Sequence, residues 1–525
     1  MTLKNAKIKK STKNEDVVII GIDSGTTYVK VARVLTDGRI EVVRVNGKDW
    51  QLETAIFLGE DRTEFGQRAT NMAVSAPERY MIEFKRQFGE FDDQGNALVM
   101  YVDPKSHKEY SAVDLAALYL GHVKETVEKT LNASIGGVVI SCPAHFKDPA
   151  RRQVQEAGEA AGFNVLGIID EPVSAAMAYF AETREQGTFI VFDLGGGTLD
   201  VTIIEATENG IKVRATDGDC ELGGCDFDLH LRQHVLKLFA KDQGFSPDPV
   251  EDAQDLQEVL LKTRQARHDL SDSDQVSLPI RIRANQMVCE ITRTEFNKLT
   301  QGTVDKAIAI AKRALEKAKL NPKDIDAILL VGGATHMPCI PEAVESSFGV
   351  PVRADEDREF LVAKGAALQA VRLGADDKEL ADIVKELPVS DIVVSNKTAH
   401  PLCITIVGSK DSTKSQMIHH PMIPEQSDIP ASVTDRFAPA EDYQSGVKIE
   451  VTQGNPGETV KANDVVYSLD LAINRLPRAQ RKDSIEVTYT LDAESMIHVH
   501  GKDLIGGNEA EGRFSLNREA DGQAA

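Results

Sequence analysis

Apolar and polar positions change their period once along this chain. From residue 16 to about 375, short β-branched runs alternate with segments whose apolar residues recur every three or four positions. That alternation predicts an α/β fold. The runs beginning at Val18 and Phe189 read as buried strands, and so does Ala327–Val331. Val304, Ile308, Ala311 and Leu315 share one helical face, which Asn321-Pro322 is expected to end. Asp148-Pro149 reads as the N-cap and first-turn proline of a helix that closes at Gly162, and Glu171-Pro172 opens another. After about residue 376 the period becomes two. Segments 402–407 and 447–451, Ile485–Leu491 and 496–500 alternate or nearly so, with Gly, Asn, Asp and Pro between them. A β-sandwich is expected there.

One local pattern occurs twice. Val18-Ile-Ile-Gly-Ile-Asp23-Ser-Gly25-Thr26-Thr27-Tyr28 and Phe189-Ile-Val-Phe-Asp193-Leu-Gly195-Gly196-Gly197-Thr198-Leu-Asp200 both run from an apolar strand through Asp into a Gly and Thr turn. An alternating strand follows each. Glycine keeps Cβ atoms out of a close approach and reaches φ > 0 without strain. Successive N–H groups in such a turn form a nest for anions, and Thr hydroxyls add donors. A carboxylate repels phosphate, so Asp23 and Asp193 imply a bridging cation. Mg²⁺ suits, because it takes one or two carboxylates plus phosphate oxygens and keeps waters. Two facing turns can hold a polyphosphate from both sides. A plain glycine hairpin explains either copy alone far better than it explains both. No Gly-x-x-x-x-Gly-Lys-Ser/Thr loop occurs, and the glycine triplet does not open a helix as a dinucleotide fingerprint does.

These two motifs resemble the phosphate motifs of the DnaK-type heat-shock 70 chaperones, within the actin-like ATPase superfamily. Pro143-Ala-His-Phe, Gly167-Ile-Ile-Asp-Glu-Pro172, Leu222-Gly-Gly-Cys-Asp-Phe-Asp228, Leu330-Val-Gly-Gly-Ala-Thr-His-Met-Pro338 and Ala363-Lys-Gly-Ala-Ala367 match further family segments in order. The resemblance spans about residues 15–515. It implies a two-lobed actin-like ATPase, built from duplicated ribonuclease-H-like subdomains, followed by an all-β sandwich. By motif position, Lys85, Glu171, Asp193 and Thr198 are the implied catalytic residues. Asp23, Asp193 and Asp200 are implied around the metal. The implied nucleotide contacts are Gly25, Thr26, Thr27, Tyr28, Gly195, Gly196, Gly197, Gly224, Arg267, His268, Ser271, Gly332, Gly333 and Ala334. Implied cofactors are ATP or ADP and Mg²⁺, with K⁺ as an optional further cation. Implied partners are a client polypeptide, with a J-domain protein and a nucleotide exchange factor as candidates. A lysine beside carboxylates and a γ-phosphate is chemically sensible, since it neutralises developing charge.

Composition narrows the setting. The chain has 525 residues and a formal charge of −22, so a nucleic-acid backbone is a poor partner. No run of apolar residues is long enough to span a membrane, and the N-terminus is polar and lysine-rich. No membrane partner is expected. Six scattered cysteines without Cys-x-x-Cys spacing read as reduced thiols, and the expected location is cytoplasmic. His498 and His500 share a strand face, as a minor metal candidate. The expected division is a leader at 1–15, the ATPase domain at 16–386, an interdomain linker at 387–396 around Asp391-Ile-Val-Val394, the sandwich at 397–517 and a tail at 518–525.

Several positions depart from the family. The chain stops near residue 525, so a lidless sandwich is expected, from which peptide would leave quickly. The 408–416 segment reads as a polar loop where the family carries small and apolar groups. Arg264, Arg267, His268, Ala334 and His336 differ from the family's adenosine residues, and Gly167, Asp170 and Val173 from its J-protein docking surface. The leading expectation is a chaperone ATPase with weak turnover that couples hydrolysis to a peptide-binding sandwich. The alternatives are a regulatory or scaffold relative with little hydrolysis, and a small-molecule kinase of the actin-like superfamily. A polymer-forming relative is disfavoured by the sandwich and the linker.

Overall fold

The computed structural model describes residues 17–92, 96–208, 210–244, 252–354, 357–374, 393–395, 397–411, 414–461, 464–491 and 496–515. The expected leader, the tail and Asp391-Ile392 of the linker lie outside the described residues.

Each phosphate motif is a β-hairpin at the centre of its own sheet. In the first lobe, Val17–Ser24 pairs antiparallel with Tyr28–Val34 on one side and parallel with Ser134–Cys142 on the other. Val165–Asp170 extends the parallel side, and Ile40–Val43 the antiparallel side. The second lobe repeats this arrangement. Gly187–Leu194 pairs antiparallel with Leu199–Thr207 and parallel with Ala327–Val331. Val352–Arg353 and Gly210–Asp219 occupy the corresponding flanks. Two sheets of the same order and direction are a duplicated fold.

The lobes are joined by two crossing helices, Glu171–Thr183 and Leu361–Leu373, both buried for most of their length. Their sequences are rich in Ala and Gly because the backbones nearly touch. A Cβ on Gly365 would lie 1.7 Å from the Ser174 carbonyl oxygen, and one on Gly21 would lie 2.0 Å from the Ala367 nitrogen. A core of Ile19, Val139, Ile169, Phe189, Val191, Leu329 and Leu368 draws on both sheets and both helices, so it binds the lobes at their base. The cleft opens above it.

Two four-stranded sheets follow. One holds Lys414–Ile423, Leu402–Asp411, Gly446–Thr452 and Val465–Ala472; the other holds Ala431–Phe437, Ile485–Leu491, Met496–Asp503 and Glu509–Ser515. In Ile485–Leu491 every second residue is buried, as the alternating pattern requires. The fully buried Arg481 guanidinium is satisfied by Asp503, Ser484 and the Asn474 carbonyl.

Three local expectations need correcting. Lys147, not Asp148, is the N-cap of helix Asp148–Ala160. Asp148 is the first helical residue, and Arg152 Nε lies 2.8 Å from its carboxylate, which does not cap the backbone. The helix carrying Val304 ends at Lys319 in the left-handed conformation, ahead of Asn321-Pro322. Residues 408–416 are not simply a loop. Gly408 pairs with Gln416 and Asp411 with Lys414 beyond a register shift, because a bulge lets the hairpin continue where the side chains turn polar.

Strand Val393–Ser395, within the expected linker, adds parallel to Gly210–Asp219 and becomes the edge of the second-lobe sheet. The sandwich rests against both lobes. The Gln426 side chain accepts from the Thr216 N–H at 3.1 Å and donates to its carbonyl at 3.0 Å. Asp148 N–H donates to Gln453 Oε1 at 2.8 Å, and Lys147 lies 3.3 Å from Asp464. The His400 and His145 rings meet at 4.6 Å between centroids.

Candidate nucleotide and catalytic site

Between the lobes lies a cavity of about 490 Å³. Its wall takes in Asp23, Gly25, Thr26, Thr27, Tyr28, Lys85, Glu171, Asp193, Gly195, Gly196, Thr198, Gly224, Arg267, His268, Ser271, Gly332, Gly333 and Ala334. Residues from distant parts of the sequence therefore converge on one space. Of the residues expected there, Gly197 and Asp200 stand behind the wall. Asp200 is almost fully buried and accepts from the His145 N–H at 3.0 Å.

The two turns face each other. A Cβ on Gly196 would lie 2.4 Å from the Thr27 hydroxyl, and a Cβ on Gly197 would lie 2.9 Å from that of Thr26. The second turn is tied down by Gly224 N–H on the Gly195 carbonyl at 3.0 Å and Cys225 N–H on the Gly196 carbonyl at 2.8 Å. Gly224–Gln243 thus starts at the turn, and its N-terminus points positive partial charge toward it.

Lys85 sits on a short 3₁₀ turn, Phe84–Gln87, that follows Glu83 in the left-handed conformation. It is not a surface lysine; only 4% of it is exposed. Its ammonium donates to Glu171 Oε1 at 2.7 Å and to the Ser24 carbonyl. Burial works against its charge, but the Glu171 carboxylate outweighs this and holds the Lys85 pKa above its ordinary value. The proton therefore stays on Lys85.

Asp193 and Asp200 are pushed well above the carboxylate range, first by burial and then by neighbouring carboxylates, Glu171 foremost. Buried acids that outnumber the nearby lysines resist ionising together unless a further cation joins them. Hard oxygen donors of this kind suit Mg²⁺, which would draw them into the charged form. Among the described residues no three His, Cys, Asp or Glu side chains converge to ligate an ion by themselves. That holds for the His498 and His500 candidate too. Mg²⁺ at the cleft would rest on one or two of these carboxylates together with phosphate oxygens and water.

The end of the cavity lined by Arg264, Arg267 and His268 is held by ion pairs. Arg267 Nε donates to Asp228 at 2.6 Å, and Arg264 reaches Asp228 at 3.4 Å and Glu83 at 3.5 Å. Arg86 of the first lobe lies 3.4 Å from Asp226 of the second. His268 is kept neutral, its pKa lowered to about 4 by burial and then by Arg267. Its Nε2 stands 3.2 Å from Arg267 Nη2 and accepts from it. The motifs assign no role to Lys30, Glu53, Arg86 or Glu359, nor to Asp226 and Asp228 within the matched 222–228 segment. For Lys30 a signal existed: it mirrors Asp23 across the first turn, and the two are direct register partners.

A two-lobed cleft of this duplicated design, followed by a β-sandwich, defines a class: an actin-like ATPase with a β-sandwich attached. The family model described as Hsp70 protein matches residues 19–523. The chain is similar to the chaperone protein DnaK of Thermosipho melanesiensis, 32% identical over 521 residues, covering 97% of this chain and 82% of the relative. DnaK of Thermotoga neapolitana is 33% identical over 515 residues, 95% of this chain and 81% of the relative. DnaK of Thermosipho africanus is 31% identical over 518 residues, 96% and 82%. The chain belongs to the Hsp70 family. It is an ATP-dependent chaperone of the heat-shock 70 type, and an ATPase.

Proposed function

We propose that the interlobe cavity binds Mg-ATP, with its phosphates between the two turns and its base beside Arg267, His268, Gly333 and Ala334. The carrying observation is the meeting of the two turns with Lys85, Glu171, Asp193 and Thr198 on one cavity wall. In this reading the Gly25–Thr27 and Gly195–Gly197 N–H groups cradle the phosphates. Lys85 neutralises charge growing on the transferred group, with Glu171 and the Ser24 carbonyl fixing its direction. The Thr198 hydroxyl orients the attacking water. Asp193, with Asp23 acting through water, would hold Mg²⁺ beside the phosphate oxygens, and Asp200 would add negative charge from behind the wall; the ion, when bound, offsets phosphate charge.

The proposed division is an ATPase domain over 16–386, a linker over 387–396 and a sandwich over 397–517. Cleft state reaches the sandwich through the linker strand and the Gln426–Thr216 contact. This coupling is allosteric if nucleotide and polypeptide bias the same two arrangements. On the sandwich, Val407 and Met417 are exposed register partners, an apolar step for an extended client polypeptide. A J-domain protein and an exchange factor are the proposed helpers, in a cytoplasmic setting.

A second reading, a regulatory relative with little hydrolysis, is favoured by one observation. Arg264 reaches toward Asp228, Glu83 and Glu53 at the ribose end, narrowing the space for a nucleoside.

Gly333 offers a clean test. It lines the cavity, and a Cβ there meets nothing within 4 Å. Gly333→Leu should fill the nucleoside end without disturbing the fold. ATP titration should then show binding lost at unchanged thermal stability; unchanged binding contradicts the placement.

A further inference from the structure

In the sequence Lys30 stands between Val29 and Val31, and a lysine there reads as a solvated side chain. The structure places it elsewhere. It lines the nucleotide cavity and only 8% of it is exposed. Its ammonium lies 3.0 Å from Asp23 Oδ2, and the two residues are paired directly across the first hairpin. The other Asp23 oxygen faces the Ser141 hydroxyl at 3.4 Å.

Beside the phosphates, a carboxylate oxygen is the protein group that attracts a free monovalent cation most strongly. At Asp23 an ammonium already supplies that charge, tethered to the same hairpin. The site residues thus leave Asp193 for Mg²⁺, while Asp23 Oδ2 is already taken by an ammonium and offers K⁺ no place. We propose that the Lys30 ammonium is a built-in monovalent cation of the phosphate site. It fixes Asp23 and stands where a free cation would otherwise be required, so nucleotide binding depends on Mg²⁺ and not on K⁺. This rests on the nucleotide reading above. Lys30 is a positioning residue, acting through Asp23.

The test is ADP affinity of the full chain with Mg²⁺ at constant ionic strength, in K⁺, NH₄⁺, Na⁺ or tetramethylammonium buffer. Wild-type affinity is expected to stay within about twofold across all four, the residue of general ionic effects. Lys30→Met should lose about tenfold in tetramethylammonium, the scale of one charge-assisted contact. K⁺ or NH₄⁺ should restore it. Asp23→Asn with Lys30→Met leaves no buried charge unpaired, so this double variant should fold and show no cation response.

Wild-type affinity that falls several-fold in tetramethylammonium relative to K⁺ would overturn the proposal, because a free cation would then be needed beside Lys30. So would a Lys30→Met protein as indifferent to the cation as wild type. Wild-type protein that binds no ADP in any buffer overturns the nucleotide reading itself, and this proposal with it.

Discussion

Thr26 and Gly197 come from different lobes, yet a side chain on Gly197 would collide with Thr26: its Cβ would sit 2.7 Å from the Thr26 methyl carbon. The two turns meet closely enough that glycine is required for steric reasons at their contact. Gly197→Ala therefore forces the lobes apart or displaces Thr26. Overpacking of this kind costs about 1–3 kcal/mol, and 1.4 kcal/mol is about tenfold in affinity. ATP titration should show a loss of about that size, with sandwich stability unchanged.

Lys85 and Glu171 form a buried pair at 2.7 Å. Removing one partner strands a buried charge, at a cost of about 3–5 kcal/mol. Lys85→Ala should therefore lower the unfolding midpoint of the ATPase domain. Pairing Lys85→Met with Glu171→Gln should recover most of that stability and none of the hydrolysis. Denaturant unfolding of the single and double variants measures it.

Docking of the sandwich leans on Gln426, whose side chain pairs with both backbone groups of Thr216. Two neutral hydrogen bonds are worth about 1–3 kcal/mol net. Gln426→Ala should shift the population toward the undocked arrangement. Fluorescence energy transfer between labels on the second lobe and the sandwich should report a longer mean distance.

The docking interface also carries two imidazoles. His400 Nε2 lies 2.8 Å from the His145 carbonyl. Burial and then His145 lower the His400 pKa from 6.5 to about 3. Burial likewise lowers that of His145, whose charged neighbours are Asp217, Lys317, Asp219 and Arg313. Lys147 and Arg151 face His400. Undocked, these rings bind protons that the docked form refuses, so docking weakens as pH falls below about 6.5. Asp148 runs the other way. Burial raises its pKa to about 7, so its share of docking is lost as pH rises from about 4 toward 7. Between about pH 4 and 6.5 the carboxyl and the imidazoles therefore act against each other. His400→Asn should shift the profile of energy transfer against pH toward tighter docking in acid.

Much of this was legible in the chain. The paired hairpins were, because Asp, Gly and Thr recur in one order and the strands around them are short and β-branched. The sandwich was, because Ile485–Leu491 alternates cleanly. The facing of Lys30 and Asp23 follows from the hairpin register, but the burial of Lys30 was not legible, since one polar residue between apolar ones has the same local signature whether it faces water or a cavity. Nor was the linker's pairing. Val393–Ser395 joins an edge formed by Gly210–Asp219, and parallel pairing between distant segments leaves no local trace in sequence. Asp148 was misread by one position because Asp-Pro is a cap signal wherever the carboxylate is free to turn back, and here it lies buried beside Arg152.

The most direct test is single-turnover hydrolysis of Mg-ATP by the full chain, beside Lys85→Ala and Thr198→Ala. The account predicts slow wild-type hydrolysis that falls by about 10²-fold or more in Lys85→Ala, the usual loss when one positioned charge donor is removed. Thr198→Ala should be slowed as well, with ATP still bound. Wild-type protein that binds ATP but hydrolyses it no faster than Lys85→Ala would contradict the catalytic assignment and favour the regulatory reading.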